Sequence, residues 1–229
     1  PQADLWDEGQ LAGKTLGVSF AGKWGRFLRA PELYFDFMNR FGRGFVRLGE
    51  VAQIRRGITS GCDDFFMPLD ITQQALSECP DEASFRRRFG VSREAVAACT
   101  IKIVRAGDGS VHPIETPYVA PLLHSPMQVE RPVVRSASMR RLIVLVSTPK
   151  GQGARSLIRK YLRYGETQPF ESSKSGPVPV SRRSTCAGRN PWYDLTDLVK
   201  PGIAFWPKSQ HYRHIVAANP DRLVCNNNL

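Results

Sequence analysis

Leu142-Ile143-Val144-Leu145-Val146, a short Gly-rich break, and then Ala154-Arg155-Ser156-Leu157-Ile158-Arg159-Lys160-Tyr161-Leu162-Arg163-Tyr164 carry the reading that decides the fold. Five unbroken apolar residues have no polar side to show to water, so they predict a buried strand. Gly151 and Gly153 then interrupt the pattern, and the period changes. Leu157, Ile158, Tyr161 and Leu162 recur at helical spacing, while Arg155, Arg159, Lys160 and Arg163 take the rest of the surface. That predicts an amphipathic helix over 154–164 with its apolar stripe on the core.

Working outward, Trp24 to Arg40 reads as a helix opened around Ala30-Pro31-Glu32 and ended by Gly42 and Gly44. Val46 to Ile58 reads as strand-like, running into a tight Gly57–Gly61 turn. Residues 71–99 read as two short helices, and Arg86-Arg87-Arg88 there reads as a solvated, locally neutralised face beside Asp81, Glu82 and Glu94. A loop-rich, proline-punctuated middle follows. Ser172 to Pro179 is Ser/Gly/Pro-rich and reads as a flexible loop. Short strands are expected at Ile203–Trp206, Arg213–Ala217 and Leu223–Cys225. The sum is an α+β fold with short mixed or antiparallel strands, a few helices and long loops.

The charge is segregated. Residues 131–213 hold sixteen Lys/Arg against four Asp/Glu, so the net +11 of the chain lies almost wholly on that stretch. Tyr161, Tyr164, Trp192, Tyr193, Trp206 and Tyr212 are threaded through it. Localised positive charge with interleaved aromatics marks a surface that meets a polyanion. Arg outnumbers Lys, and its planar fork suits phosphate and guanine edges. No apolar run approaches the length of a membrane helix. Cys62, Cys79, Cys99, Cys186 and Cys225 are odd in number and never paired as C-x-x-C, which argues for a reducing cytoplasm and against a zinc knuckle. His211 and His214 have no partner at ligand spacing, so no metal is expected. Both ends read as cuts inside a longer protein.

Gly57-Ile58-Thr59-Ser60-Gly61, followed by Asp63-Asp64-Phe65-Phe66, is the sharpest local motif. Two glycines four apart allow close backbone approach, and Thr59 and Ser60 offer hydroxyls to a phosphate, with Arg55 and Arg56 adding charge. Taken by chemistry alone, the same residues describe an ordinary decorated β-turn. Asp63 and Asp64 are adjacent and expected to point apart, so no catalytic carboxylate pair is read from them.

Phe27-Leu28-Arg29-Ala30-Pro31, the stretch Leu48 to Gly61 and Asp64-Phe65-Phe66 together resemble the junction and target recognition domain of adenine-specific (N6) DNA methyltransferases. Ser60 stands where that family's pattern has Thr, and Asp63 where it has Asn. Tyr161 to Glu166 resembles the family's helix ending in Gly-Glu. Ser181-Arg182-Arg183 with Pro191-Trp192-Tyr193-Asp194-Leu195 resembles its Arg and Trp-Tyr segment. The resemblance covers about residues 24 to 229. It implies a linker and helical junction over 1–44 and a DNA-binding target recognition domain over 45–229.

The catalytic parts of such an enzyme are missing. Base methylation needs a Gly-rich turn for S-adenosylmethionine and a Pro-Pro-aromatic loop that holds a flipped base. The chain has no Pro-Pro dipeptide, and Asn190-Pro191-Trp192-Tyr193 has Trp where the second Pro should be. Lys150-Gly151-Gln152-Gly153 lacks Walker spacing.

The resemblance therefore implies no catalytic, cofactor-binding or metal residue here. It implies duplex DNA and an N-terminal methyltransferase domain as partners, with S-adenosylmethionine bound in that domain. The setting implied is a prokaryotic restriction-modification or phage-defence system, cytoplasmic and nucleoid-associated when bound. The expected DNA-contacting residues are Arg55, Arg56, Thr59, Ser60, Lys150, Arg155, Arg159, Lys160, Arg182, Arg183, Arg189, Trp192, Lys208 and Arg213. Of these, Arg182, Arg183 and Arg189 follow the mobile-looking loop and are expected to include the base readers. The alternative reading is a stand-alone specificity subunit or an RNA-binding module without methyltransferase activity.

Overall fold

Glu115 is the hinge of the architecture, because the end of a strand and the start of a helix meet on its carboxylate. In the computed structural model, which describes residues 30–46, 48–147, 156–171, 176–208 and 215–228, the chain divides into two units, Pro1–Ile54 and Arg55–Leu229. The division falls beyond the boundary after residue 44 that the sequence implied.

In the first unit, α1 (Glu32–Phe41) starts behind Pro31, whose extended backbone suits a helix entry, and carries Glu32 in its first turn and Arg40 in its last. Phe37 stacks against Phe41 and Phe45, at 5.0 and 5.7 Å between ring centres. Among the described residues, the strand expected over Val46 to Ile58 does not form. A short helix, α2 (Leu48–Val51), stands there instead. The reason lies in the spacing: Leu48, Val51 and Ile54 recur every third residue, nearer a helical than a pleated period.

The second unit is built on a six-stranded sheet of order β10-β4-β5-β1-β2-β3. Its strands are β1 (Leu69–Asp70), β2 (Ile101–Arg105), β3 (Val111–Glu115), β4 (Val119–Leu123), β5 (Arg141–Val144) and β10 (Val224–Cys225). Every pairing is antiparallel except β10 on β4. The α+β class expected from the sequence is the class observed. The apolar run at 142–146 supplies β5, whose Leu142, Ile143 and Val144 are all buried.

Two prolines inside strands are explained by position. Pro113 lies in β3, at the sheet's edge, and Pro121 sits in β4 one residue before β10 begins to pair at Leu122. Neither removes a ladder bond from a strand flanked at that residue on both sides. After α3 (Asp63–Phe66), three short helices rather than two appear between β1 and β2: α4 (Thr72–Glu78), α5 (Glu82–Phe89) and α6 (Arg93–Ala97). Asp81 and Ser92 cap the last two through Ser84 N–H and Ala95 N–H. Arg86 and Arg88 pair with Glu82 and Glu78 at 3.0 Å, as the solvated-face reading expected.

Helix α7 (Leu157–Thr167) packs against β3 with Ile158, Tyr161, Leu162 and Gly165 buried. Its first amides, Leu157 N–H and Ile158 N–H, donate to Glu115 at 2.7 and 2.9 Å, so β3 caps the helix from a distance in sequence. At the other end Gly165 is obligatory, since a Cβ there would stand 2.6 Å from the Phe65 ring. Tyr161 lies stacked on Phe65 at 4.6 Å and donates its hydroxyl to Phe65 O.

Two small ribbons complete the unit: β6 (Pro169–Phe170) with β7 (Val178–Pro179), and β8 (Ala204–Phe205) with β9 (Ala217–Ala218). Part of the loop expected over Ser172 to Pro179 is thus strand at 178–179; residues 172–175 lie outside the described residues. The strands expected at 203–206 and 223–225 are present in shortened form. That expected from Arg213 to Ala217 is represented by Ala217–Ala218, its earlier part lying partly outside the described residues.

Candidate nucleic-acid interface

Gly57 and Gly61 frame the motif because nothing larger fits. A Cβ on Gly57 would lie 2.0 Å from Asn226 O, where Ile58 bridges to Asn226. Gly61 adopts φ +90°, and a Cβ there would meet Cys186 Sγ at 2.8 Å. The glycines serve chain packing. Thr59 is exposed at the tip of the turn, whereas Ser60 is fully buried. The Ser60 hydroxyl accepts from Cys62 N–H and donates to the Asp63 carboxylate. The expectation that Ser60 meets a phosphate is therefore corrected: its oxygen is spent inside the turn, out of reach of any ligand.

The segment from Arg182 to Arg189 closes over this turn from more than a hundred residues away in sequence. Arg183 donates from Nη1 to Gly61 O at 3.1 Å and from Nη2 to Phe170 O at 3.0 Å and to Glu171 O. Arg189 Nη2 donates to Thr59 O at 3.0 Å, and its guanidinium lies 5.9 Å from the Phe66 ring centre. Between them, helix α8 (Ser184–Ala187) drives the buried Cys186 thiol against Ser60 O. Burial pushes the Cys186 thiol up, with Arg189 and Arg183 pulling it partly back, and burial pushes Cys62 up to about 11. Both therefore stay protonated near neutrality, which makes them weak nucleophiles.

Of the three arginines expected to include the base readers, Arg183 is thus corrected to an architectural role, since its fork is already filled by carbonyl oxygens. Arg189 spends Nη2 in the same way and donates from Nη1 to Cys186 Sγ at 3.9 Å, the side chain staying half-buried. Arg182 is exposed. Trp192 is half-buried. Its ring packs on Phe65 and Phe66 at 5.7 and 6.1 Å, and its Nε1 donates to Glu166. Its inner side is one wall of the core around Gly165.

On α7, Arg159, Lys160 and Arg163 face solvent, opposite the buried stripe. Arg55, Arg56 and Lys208 are also exposed. Lys150, Arg155 and Arg213, with His211 and His214, lie outside the described residues. The structure therefore brings the Arg182–Arg189 segment onto the turn that carries Thr59 and follows Arg55 and Arg56 in the chain, and sets Arg159 and Lys160 on a helix face of the same unit. Asp63 and Asp64 do point apart: Asp63 approaches His124 at 3.9 Å, and Asp64 packs its carboxylate against Gly107.

What the sequence reading missed is the role of Cys186 and of Gly165. Both act only through residues remote in sequence, so no local signal marks them. Among the described residues, no group of three His, Cys, Asp or Glu is placed to hold a metal ion, and no helix is long and apolar enough to cross a membrane. Comparison with known protein families, with curated proteins and with solved structures finds no match to this chain.

Proposed function

We propose that this chain recognises duplex DNA, as the target recognition domain of an N6-adenine DNA methyltransferase in a prokaryotic restriction-modification or phage-defence system. The observation that carries the reading is the clasp of the Arg182–Arg189 segment on the Gly57–Gly61 turn. It joins two basic, motif-bearing segments and leaves Arg55, Arg56 and Arg182 exposed, as is Thr59. Exposed arginines close in sequence to a turn tied down by hydrogen bonds suit phosphate positioning and groove readout.

The basic side of α7 adds a second row of cations for the backbone. Methyl transfer itself belongs to an N-terminal domain that binds S-adenosylmethionine, and the work of this chain is to choose the site in the cell's nucleoid. A specificity subunit would join two such domains by long helices; among the described residues the longest helix is α7, of 11 residues.

Competition tests the reading. Fluorescence anisotropy should find that unlabelled duplex DNA displaces a labelled duplex more readily than single-stranded RNA does. The double charge reversal Arg159→Glu, Lys160→Glu should weaken all duplexes by a similar factor. RNA winning the competition would transfer the reading to an RNA-binding module, and an unchanged affinity in the variant would remove α7 from the interface.

A further inference from the structure

The ribbon of β8 and β9 pairs Ala204 with Ala218 and Phe205 with Ala217. Neighbours along a strand point to opposite faces. Phe205 and Ala217 turn inward, 4% and 0% exposed, onto the small core of Leu123, Val129, Val134 and Leu223. Ala204 and Ala218 therefore turn outward, and continuing the register sets Trp206 opposite Val216 on that outer side. A third segment joins it: Val133 bridges to Ala218, with Val134 N–H donating to Ala218 O at 3.0 Å and Ala218 N–H to Pro132 O at 2.8 Å.

The outer face thus consists of Ala204, Trp206, Val216, Ala218 and Val133. All are exposed, Trp206 by 57% and Val216 by 54%. A small ribbon with one wet side ordinarily places polar residues there, whereas these five described residues are all apolar. Exposed Arg131 and Lys208 follow at its margins, two residues from Val133 and Trp206.

Charge decides what covers this face. A second copy of the chain would bring the same cations against Arg131 and Lys208, and a two-fold contact of like charges is unfavourable. Nucleic acid offers both halves of the complement at once, a flat apolar ring for the indole and phosphates for the margin. Resting on the DNA-binding reading above, we propose that the outer face of the β8–β9 ribbon is a separate contact surface that takes the face of an unstacked nucleobase, with Trp206 as the stacking group and Arg131 and Lys208 on the flanking phosphates. The base comes from a step opened in duplex DNA, where an apolar wedge offsets the unstacking by its own contact.

The full chain, with Trp206→Ala and Trp206→Phe, tests this by anisotropy on three probes: a fully paired duplex, the same duplex with one unpaired base, and its single strand. The wild type should prefer the duplex with the unpaired base. Trp206→Ala should lower that affinity roughly 5- to 150-fold, the effect of losing one stacked base, and Trp206→Phe should recover most of it. The thermal midpoint should hold, because the side chain is more than half exposed. A loss confined to the single strand would also support stacking and would name single-stranded nucleic acid as the source of the base. Unchanged affinity on all three probes would overturn the proposal while leaving DNA binding intact. Wild type that binds none of them would overturn the DNA-binding reading and this inference together. Self-association in sedimentation that Trp206→Ala abolishes would overturn it in favour of a second copy on this face.

Discussion

Arg182 and Arg183 are neighbours of the same type, and the fold gives them opposite work. Arg183 turns into the protein and bridges the Gly57–Gly61 turn to Phe170 and Glu171, while Arg182 stays in water. A hydrogen bond to a charged donor is worth more than a neutral one, and its loss strands the carbonyls it served. Arg183→Ala should therefore cost about 2–3 kcal/mol in urea unfolding. Arg182→Ala should change stability by less than about 0.5 kcal/mol and act on DNA affinity alone. Equal stabilities of the two variants would contradict this division. Sequence could not separate them, because the difference is made by the tight turn over Val180–Arg182 and by partners remote in the chain. The same limit explains Ser60, whose polar side chain reads as ligand-facing until the turn buries it.

Elements with a local signature were legible and those made by distant pairing were not. The apolar run of β5 and the amphipathic period of α7 each carry their structure in a few consecutive residues. The β2–β3 hairpin was hidden because Pro113 read as loop, and β1 because two residues hold no period. It is a strand only through its partners β2 and β5. The segment after α1 misled in the other direction, its apolar residues being spaced by three. The long-range cap on α7 was invisible for the same reason as β1, its partner lying far along the chain. Glu115 satisfies two orphan amides and places a carboxylate at the positive end of the helix dipole. Glu115→Ala should cost about 1–2 kcal/mol, read by urea unfolding, with Glu115→Gln losing less because its amide oxygen still accepts. A cost in Glu115→Ala below about 0.5 kcal/mol would show that β3 does not hold the helix start.

At the scale of the molecule, charge segregation and fold support one another. The sheet and its helices bury the apolar sequence of the second unit, while α7 turns Arg159, Lys160 and Arg163 outward and the Arg182–Arg189 segment is tied to the Gly57–Gly61 turn, with Arg55, Arg56 and Arg182 exposed. A structure of this kind holds its cations in place before a ligand arrives, and fixed cations release counterions when they meet phosphate. Binding should therefore weaken steeply as salt is raised. The most direct measurement is the affinity for a mixed-sequence duplex across a salt series. Neutralising about 6 phosphates predicts a slope of log K against log salt near −5. A slope near zero would contradict the claim that this surface meets DNA at all.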